Sequence, residues 1–173
     1  MRNLKIVVIL TLILLFIPSL FAADLTSFWT IDLNGSEITQ EIFASSKLTM
    51  INVWATFCPP CLQEMPALAQ LSKEYNSSEF QVIGIVTDVY HSNQNVFARN
   101  LQTANQIIAR TGASYTHLLP SQDLHNLLLK DVQVVPETLF VDKNGKIVGK
   151  TYQGARNKAQ WKNIIDSTIA LVK

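Results

Sequence analysis

Only two cysteines occur in the chain, and they sit three positions apart as Cys58-Pro59-Pro60-Cys61. A disulfide closing so short a loop removes little entropy from the unfolded chain, so stability is a poor reason to keep the pair and reversible thiol chemistry a better one. Pro59 suits an early helical position because its missing amide hydrogen costs nothing there. Two prolines in a row also leave few amides to face a sulfur at Cys58, with Cys61 supplying one of them. The expected result is a Cys58 pKa that is lowered, but less than in a strongly oxidising site, and therefore a reducing bias. Glu64 follows Cys61 by three positions, which on a helix keeps the two on neighbouring parts of one face. If that face lies under a sheet, Glu64 is placed to take the proton that Cys61 must lose; if it faces outward, it is a solvated helix glutamate. Pro66 is expected to remove a hydrogen bond within the same helix.

The elements that must hold these residues can be read around them. Residues 28–33 form a strand pattern, Asn34-Gly35 a hairpin turn, and residues 37–39 the returning strand. Residues 48–54 are apolar but for Thr49 and Asn52 and read as a buried strand ending at the motif, and Leu62, Met65, Leu68 and Leu71 then repeat at helical spacing. Residues 80–86 give a second buried strand and residues 93–109 a helix, with Val96, Phe97, Leu101, Ala104 and Ile108 available to the core. Strand–helix–strand–helix order implies parallel pairing and an α/β class. A short strand at 116–119, a helix at 122–129, a strand at 138–142 and an antiparallel return at 146–152 through Asn144-Gly145 complete the sheet. Trp161, Ile164, Ile165, Thr168, Ile169 and Val172 make one stripe of a last helix over 157–172.

Asn52, polar within a buried strand, is expected to be hydrogen-bonded. Trp54 and Phe57 either shape a docking surface or serve as a core residue and a partly exposed cap. Pro136 lies between Val134-Val135 and a strand. Taken alone it reads as a trans proline that starts the strand, because cis bonds are about 5–6 % of X–Pro bonds in folded proteins. His91, His117 and His125 are dispersed and are expected on the surface or in loops.

The N-terminus sets itself apart, with Arg2 and Lys5 ahead of an apolar run over residues 6–17 and Ala22-Ala23 at its end. That is the layout of a secretory signal over residues 1–23, cleaved after Ala22 or Ala23, with an uncleaved membrane anchor as the alternative. Residues 24–173 then form one domain of 150 residues, of ordinary size for a single core. Without Arg2 and Lys5 the remainder has 12 basic residues against 13 acidic ones, a balance that gives no sign of nucleic-acid binding. Export puts the cysteine pair where disulfides form, in a periplasmic or other extracytoplasmic compartment.

The run Asn52-Val53-Trp54-Ala55-Thr56-Phe57-Cys58-Pro59-Pro60-Cys61, with Glu64, Pro66 and the later Val135-Pro136-Glu137-Thr138, resembles the TlpA/ResA group of extracytoplasmic thioredoxin-like reductases. The resemblance implies a thioredoxin fold, three layers α/β/α on a mixed sheet, with an N-terminal β-hairpin and a central insertion within residues 93–119. It implies a cis Pro136 facing the cysteines and Val135 offering backbone hydrogen bonds to an extended substrate. It assigns Cys58 as exposed nucleophile, Cys61 as buried resolving thiol and Glu64 as the nearby acid. Two departures stand out: Phe57 where the group often has Trp, and Asn52 where many thioredoxins have a buried acid, which moves proton handling toward Glu64.

The resulting expectation is a thiol:disulfide oxidoreductase that reduces disulfides of exported proteins, apocytochrome c or its maturation factors among them, and is re-reduced by a membrane electron donor. No cofactor and no metal are expected. The rival readings are net oxidation of protein thiols by the same residues and a carrier of a soft ion such as Cu(I) on the two sulfurs. A peroxiredoxin-like peroxidase is disfavoured, because no Pro-x-x-x-Thr-x-x-Cys pattern surrounds Cys58.

Overall fold

The computed structural model describes residues 24–90 and 94–172, with the side chains of residues 94–97 also left aside. The expected N-terminal signal, His91 and the core placement of Val96 and Phe97 lie outside what it describes. Seven strands are described: β1 (Trp29–Ile31), β2 (Glu37–Thr39), β3 (Leu48–Trp54), β4 (Phe80–Val86), β5 (His117–Leu118), β6 (Glu137–Asp142) and β7 (Tyr152–Gln153). Four α-helices join them, α1 (Pro59–Glu74), α2 (Gln94–Thr111), α3 (Gln122–Leu127) and α4 (Lys158–Ile169), with short 3-10 turns at Gln40–Ser45 and Leu129–Asp131.

The sheet runs β5-β4-β3-β6-β7, and β1-β2 forms a separate antiparallel ribbon. β3 pairs in parallel with β4 and antiparallel with β6, so the strand that leads into the cysteines is central and covered on both faces. That is why every one of its residues is buried and why its sequence is a nearly unbroken apolar run rather than an alternation. The period of two still assigns the faces. Ile51, Val53, Ile83, Ile85, Leu139 and Val141 pack with Leu25, Phe28, Phe43 and Leu124 on the side of the hairpin and α3. Met50, Val82 and Phe140 meet Leu68 and Leu71 of α1 and Trp161 and Ile165 of α4 on the other side. Trp54 and Val86 meet Cys61 and Met65 of α1 and Ala104 and Ile107 of α2 on that same side. The result is the three-layer α/β/α arrangement on a mixed sheet, and α2 with β5 is the central insertion between β4 and α3.

Two expectations need correction. The return strand expected over 146–152 is reduced to a bridge between Val141 and Ile147 and the two-residue β7. Val148 N–H still reaches the Phe140 carbonyl, but by the Thr138–Tyr152 pair the register has slipped by two residues, so the intervening chain bulges out of the ladder. His117, expected on the surface or in a loop, is buried on β5, because its ring packs over Gly84 of β4 and against Trp54 and Tyr115. Among the described residues no helix is long and apolar enough to cross a membrane.

Candidate functional site

β3 ends at Trp54, and the four residues after it are pinned before the helix starts. Cys58 N–H donates to the Ala55 carbonyl at 3.2 Å, while the Asp88 carboxylate accepts from Thr56 N–H at 3.0 Å and from the Thr56 hydroxyl. Cys58 then takes extended backbone angles and becomes the N-cap of α1, its sulfur accepting from Cys61 N–H at 3.3 Å. Pro59 and Pro60 occupy the first two helical positions and have no amide hydrogen, so Cys61 N–H is the one first-turn donor that faces the sulfur. The two cysteines are joined in a disulfide.

The Val135–Pro136 bond is cis. This agrees with the resemblance and corrects the reading of Pro136 on its own, which general frequencies had weighted toward trans; the register of β6 beside β3 is a tertiary fact that no local statistic contains. The Val135 carbonyl lies 3.5 Å from Cys58 Sγ. In the disulfide that sulfur carries no hydrogen, so the approach is a packing contact, and only the reduced thiol can donate across it. With this segment over it, Cys58 is 5 % exposed, which corrects the expectation of an exposed nucleophile. Cys61 is wholly buried, so the order of accessibility between the two is as expected. Phe57 stands 74 % exposed beside them, and Trp54 belongs to the core.

The α1 face that carries Cys61 turns inward, and Glu64 goes with it to near-complete burial. Its carboxylate accepts from Asn52 Nδ2 at 2.9 Å on one oxygen and from Arg156 N–H and Trp161 Nε1, both at 3.1 Å, on the other. Burial nevertheless outweighs these bonds and raises the Glu64 pKa above its ordinary value. Asn52 Nδ2 also donates to Thr138 Oγ1 at 3.0 Å, as its position in a buried strand demanded. Its own Oδ1, and the hydroxyl of buried Tyr115, find no partner among the described residues.

Across β4, Trp54 Nε1 donates to His117 Nδ1 at 3.1 Å, which leaves the ring hydrogen on Nε2, 2.9 Å from the Ala113 carbonyl. Burial lowers the His117 pKa to about 4, against a smaller opposing effect of the Ala113 bond, so the ring is neutral at physiological pH. The ring lies directly over Gly84, where a Cβ would fall 2.1 Å from Nδ1.

The structure thus brings Phe57, Cys58, Cys61, Glu64, Val135 and Pro136 around one helix terminus. The sequence did not single out Arg156 or Asp88, it named Thr138 only as part of the run around Pro136 and not as a partner of Asn52, and it gave Trp161 only a core role. Trp161 and Arg156 reach Glu64 from 97 and 92 residues away, separations over which no local pattern carries a signal.

A cysteine pair at the N-cap of the helix after the central strand, across from a cis-proline that opens the neighbouring strand, defines the thioredoxin plan of a thiol:disulfide oxidoreductase. The chain belongs to the redoxin family, whose profile, described as Redoxin, matches residues 22–165. It is similar to the thiol-disulfide oxidoreductase ResA of Halalkalibacterium halodurans, 24 % identical over 142 residues that cover 82 % of this chain and 71 % of the relative. It is also similar to ResA of Geobacillus thermodenitrificans, 28 % identical over 121 residues, 70 % of this chain and 63 % of that one. Among solved structures, a thiol:disulfide interchange protein of the thioredoxin family from Chlorobium tepidum superposes with a TM-score of 0.67 at 20 % identity, covering 86 % of this chain and 97 % of its own. StoA from Bacillus subtilis gives 0.59 at 19 % identity, over 82 % and 97 %. The protein is a ResA-like thioredoxin-family oxidoreductase.

Proposed function

We propose that this protein is a net reductant of disulfides in exported proteins, with Cys58 as nucleophile and Cys61 as resolving thiol. The Cys58 thiolate attacks one sulfur of a client disulfide, forms a mixed disulfide and expels the other client sulfur as a thiolate, which takes up a proton. Cys61 then gives up its proton, attacks Cys58 Sγ and releases the second client thiol, leaving the Cys58–Cys61 disulfide. Two electrons pass to the client, and a dithiol donor at the membrane returns them. Glu64, protonatable because burial raises its pKa, receives the Cys61 proton. Val135 and cis Pro136 hold the client's extended chain beside Cys58, with Phe57 on its outer side.

The observation that carries the direction of the reaction is the sparse first turn of α1. A sulfur faced by Cys61 N–H and by no amide of Pro59 or Pro60 receives limited help toward its thiolate, and a poorly stabilised thiolate favours giving electrons away. Residues 1–23 act as the export signal and residues 24–173 as the working domain. Apocytochrome c and its maturation factors are clients suggested by the resemblance to the TlpA/ResA group.

The reduction potential of the pair, poised in redox buffers and read by thiol trapping on residues 24–173, tests the direction. The expected value lies near the thioredoxin end of the scale, about −270 mV. A value near about −120 mV would make the protein a disulfide-forming oxidant and overturn the proposal.

A further inference from the structure

Large apolar side chains left in water are informative when they gather. Among the described residues Trp29, Phe57, Tyr90, Val134 and Leu171 are exposed, the first four at 50 %, 74 %, 49 % and 50 %. Leu171 is at the C-terminus, while those four line one continuous depression. Its first part, about 620 Å³, opens beside the cysteines between Phe57 and Val134-Val135 and runs to Tyr90 and Pro120. Its second part, about 410 Å³, shares Tyr90 and Pro120 and ends against Trp29 of β1. The N-terminal hairpin is fixed as the far wall, because Leu119 N–H donates to the Ile31 carbonyl at 2.9 Å and Trp29 N–H to the Asp123 carboxylate at 2.9 Å.

We propose that this depression is the docking groove for an extended, uncharged client segment that carries an aromatic side chain a few residues from the cysteine attacked by Cys58. The inference deepens the reading of Cys58 as nucleophile and rests on it. Two observations, with the docking at Val135 proposed above, choose this occupant. The groove opens at Phe57 and at Val135, whose carbonyl lies 3.5 Å from Cys58 Sγ, so a client joined to Cys58 already has its chain at the groove mouth. Backbone addition at Val135 requires the client to be extended, and an extended strand presents alternate side chains to one surface. Among the described residues the ionisable side chains along the groove, tyrosine aside, are His125 and Asp123, and the Asp123 carboxylate is engaged by Trp29 N–H. Recognition is therefore by apolar contact and should be insensitive to ionic strength.

The test uses peptides with a single cysteine joined to glutathione as a mixed disulfide, with Phe placed at successive positions after the cysteine and an all-Ala peptide as reference. Pre-reduced protein is mixed with each, and the second-order rate constant for its oxidation is measured at low and high salt. One or two Phe positions should react about tenfold faster than the reference, equivalent to ~1.4 kcal/mol, with no loss at high salt. Trp29→Ser and Tyr90→Ser should collapse that preference, and Trp29→Phe should retain it. In the Cys61→Ser chain, where the mixed disulfide persists, the Trp29 indole N–H resonance should move with the preferred Phe peptide and stay put with the Ala peptide; this readout does not depend on the groove variants folding.

Equal rates for all peptides, or a preference that survives both serine variants, would overturn the groove. Concentration-dependent dimerisation abolished by Trp29→Ser would do the same by giving the groove to a second copy of the chain. If the pre-reduced protein oxidises with none of these disulfides, nor with glutathione disulfide, it is the nucleophile reading that fails.

Discussion

Glu64 and His117 are buried ionisable groups on either side of the central strand, and they respond to pH in opposite directions. For Glu64 the folded-state pKa is raised, mainly by burial, so the native state holds its proton more tightly than the unfolded chain. Stability is therefore greatest below the unfolded value of 4.5 and falls as pH rises through the folded value. Glu64→Gln removes that loss. It can also keep the hydrogen-bond count: the Gln oxygen can face Arg156 N–H and Trp161 Nε1, and its amide can face Asn52 if the Asn52 side chain turns over to present its oxygen, with the Thr138 hydroxyl then donating to that oxygen instead of accepting from Nδ2. The variant should melt no lower than the wild type at pH 7, while resolution of a trapped mixed disulfide slows about 100-fold and loses its pH inflection. Stopped-flow pH profiles of the second step check this, and an unchanged profile would remove Glu64 from the proton path.

For His117 the folded-state pKa is depressed to about 4. Its contribution is therefore intact above the unfolded value of about 6.5 and is lost as pH falls toward 4, by up to ~3 kcal/mol. Imidazole NMR should find His117 as the Nε2–H tautomer from pH 7 down to about 5. A ring that titrates near pH 6.5 would contradict the buried bond to Trp54.

At the scale of elements, the approach of β5 to β4 depends on a missing side chain. Gly84 pairs with Asn52 on one side and His117 on the other, and the His117 ring fills the space that a Cβ would occupy. Gly84→Ala must displace the ring, break its bond to Trp54 Nε1 and leave that buried donor without a partner. Overpacking costs about 1–3 kcal/mol and an orphaned buried donor about as much again. The expected total is about 3 kcal/mol, read as a lower urea midpoint with the m-value unchanged. A loss below about 0.5 kcal/mol, the ordinary range for surface changes, would mean that the ring is free to move aside.

At the scale of the whole molecule, the fold is closed by its first described residues, Asp24 and Leu25. Leu25 is buried in the hairpin-side core, its N–H donates to the Gly145 carbonyl at 2.8 Å, and Asp24 accepts from Ile147 N–H at 3.1 Å. Gly145 serves this closure twice, with a positive φ of 77° in its turn and with no Cβ, which would fall 2.4 Å from the Leu25 carbonyl oxygen. The fold thus engages the chain immediately after the position where signal cleavage is expected. Leu25→Ala should cost about 2–5 kcal/mol by denaturant unfolding, as a buried leucine in a packed core does. A cost within about 0.5 kcal/mol would show the N-terminal segment to be dispensable.

The sequence alone determined the redox pair, the strand that leads into it, the helix it caps and the order of nearly every element. Those features are written in neighbours, in a spacing of three, a period of two or a period of 3.6, and short-range physics is enough to read them. Tertiary structure decided what depends on residues far apart. It turned the α1 face inward, so that Glu64 became a buried acid held by Arg156 and Trp161 rather than a solvated one. It made Pro136 cis against the local odds, drew His117 from an expected loop into the core, and covered Cys58 with Val135. It also gathered Trp29, Phe57, Tyr90 and Val134 along one groove, because four scattered apolar residues become a surface only when the hairpin, the loop after β4 and the segment before β6 are packed together.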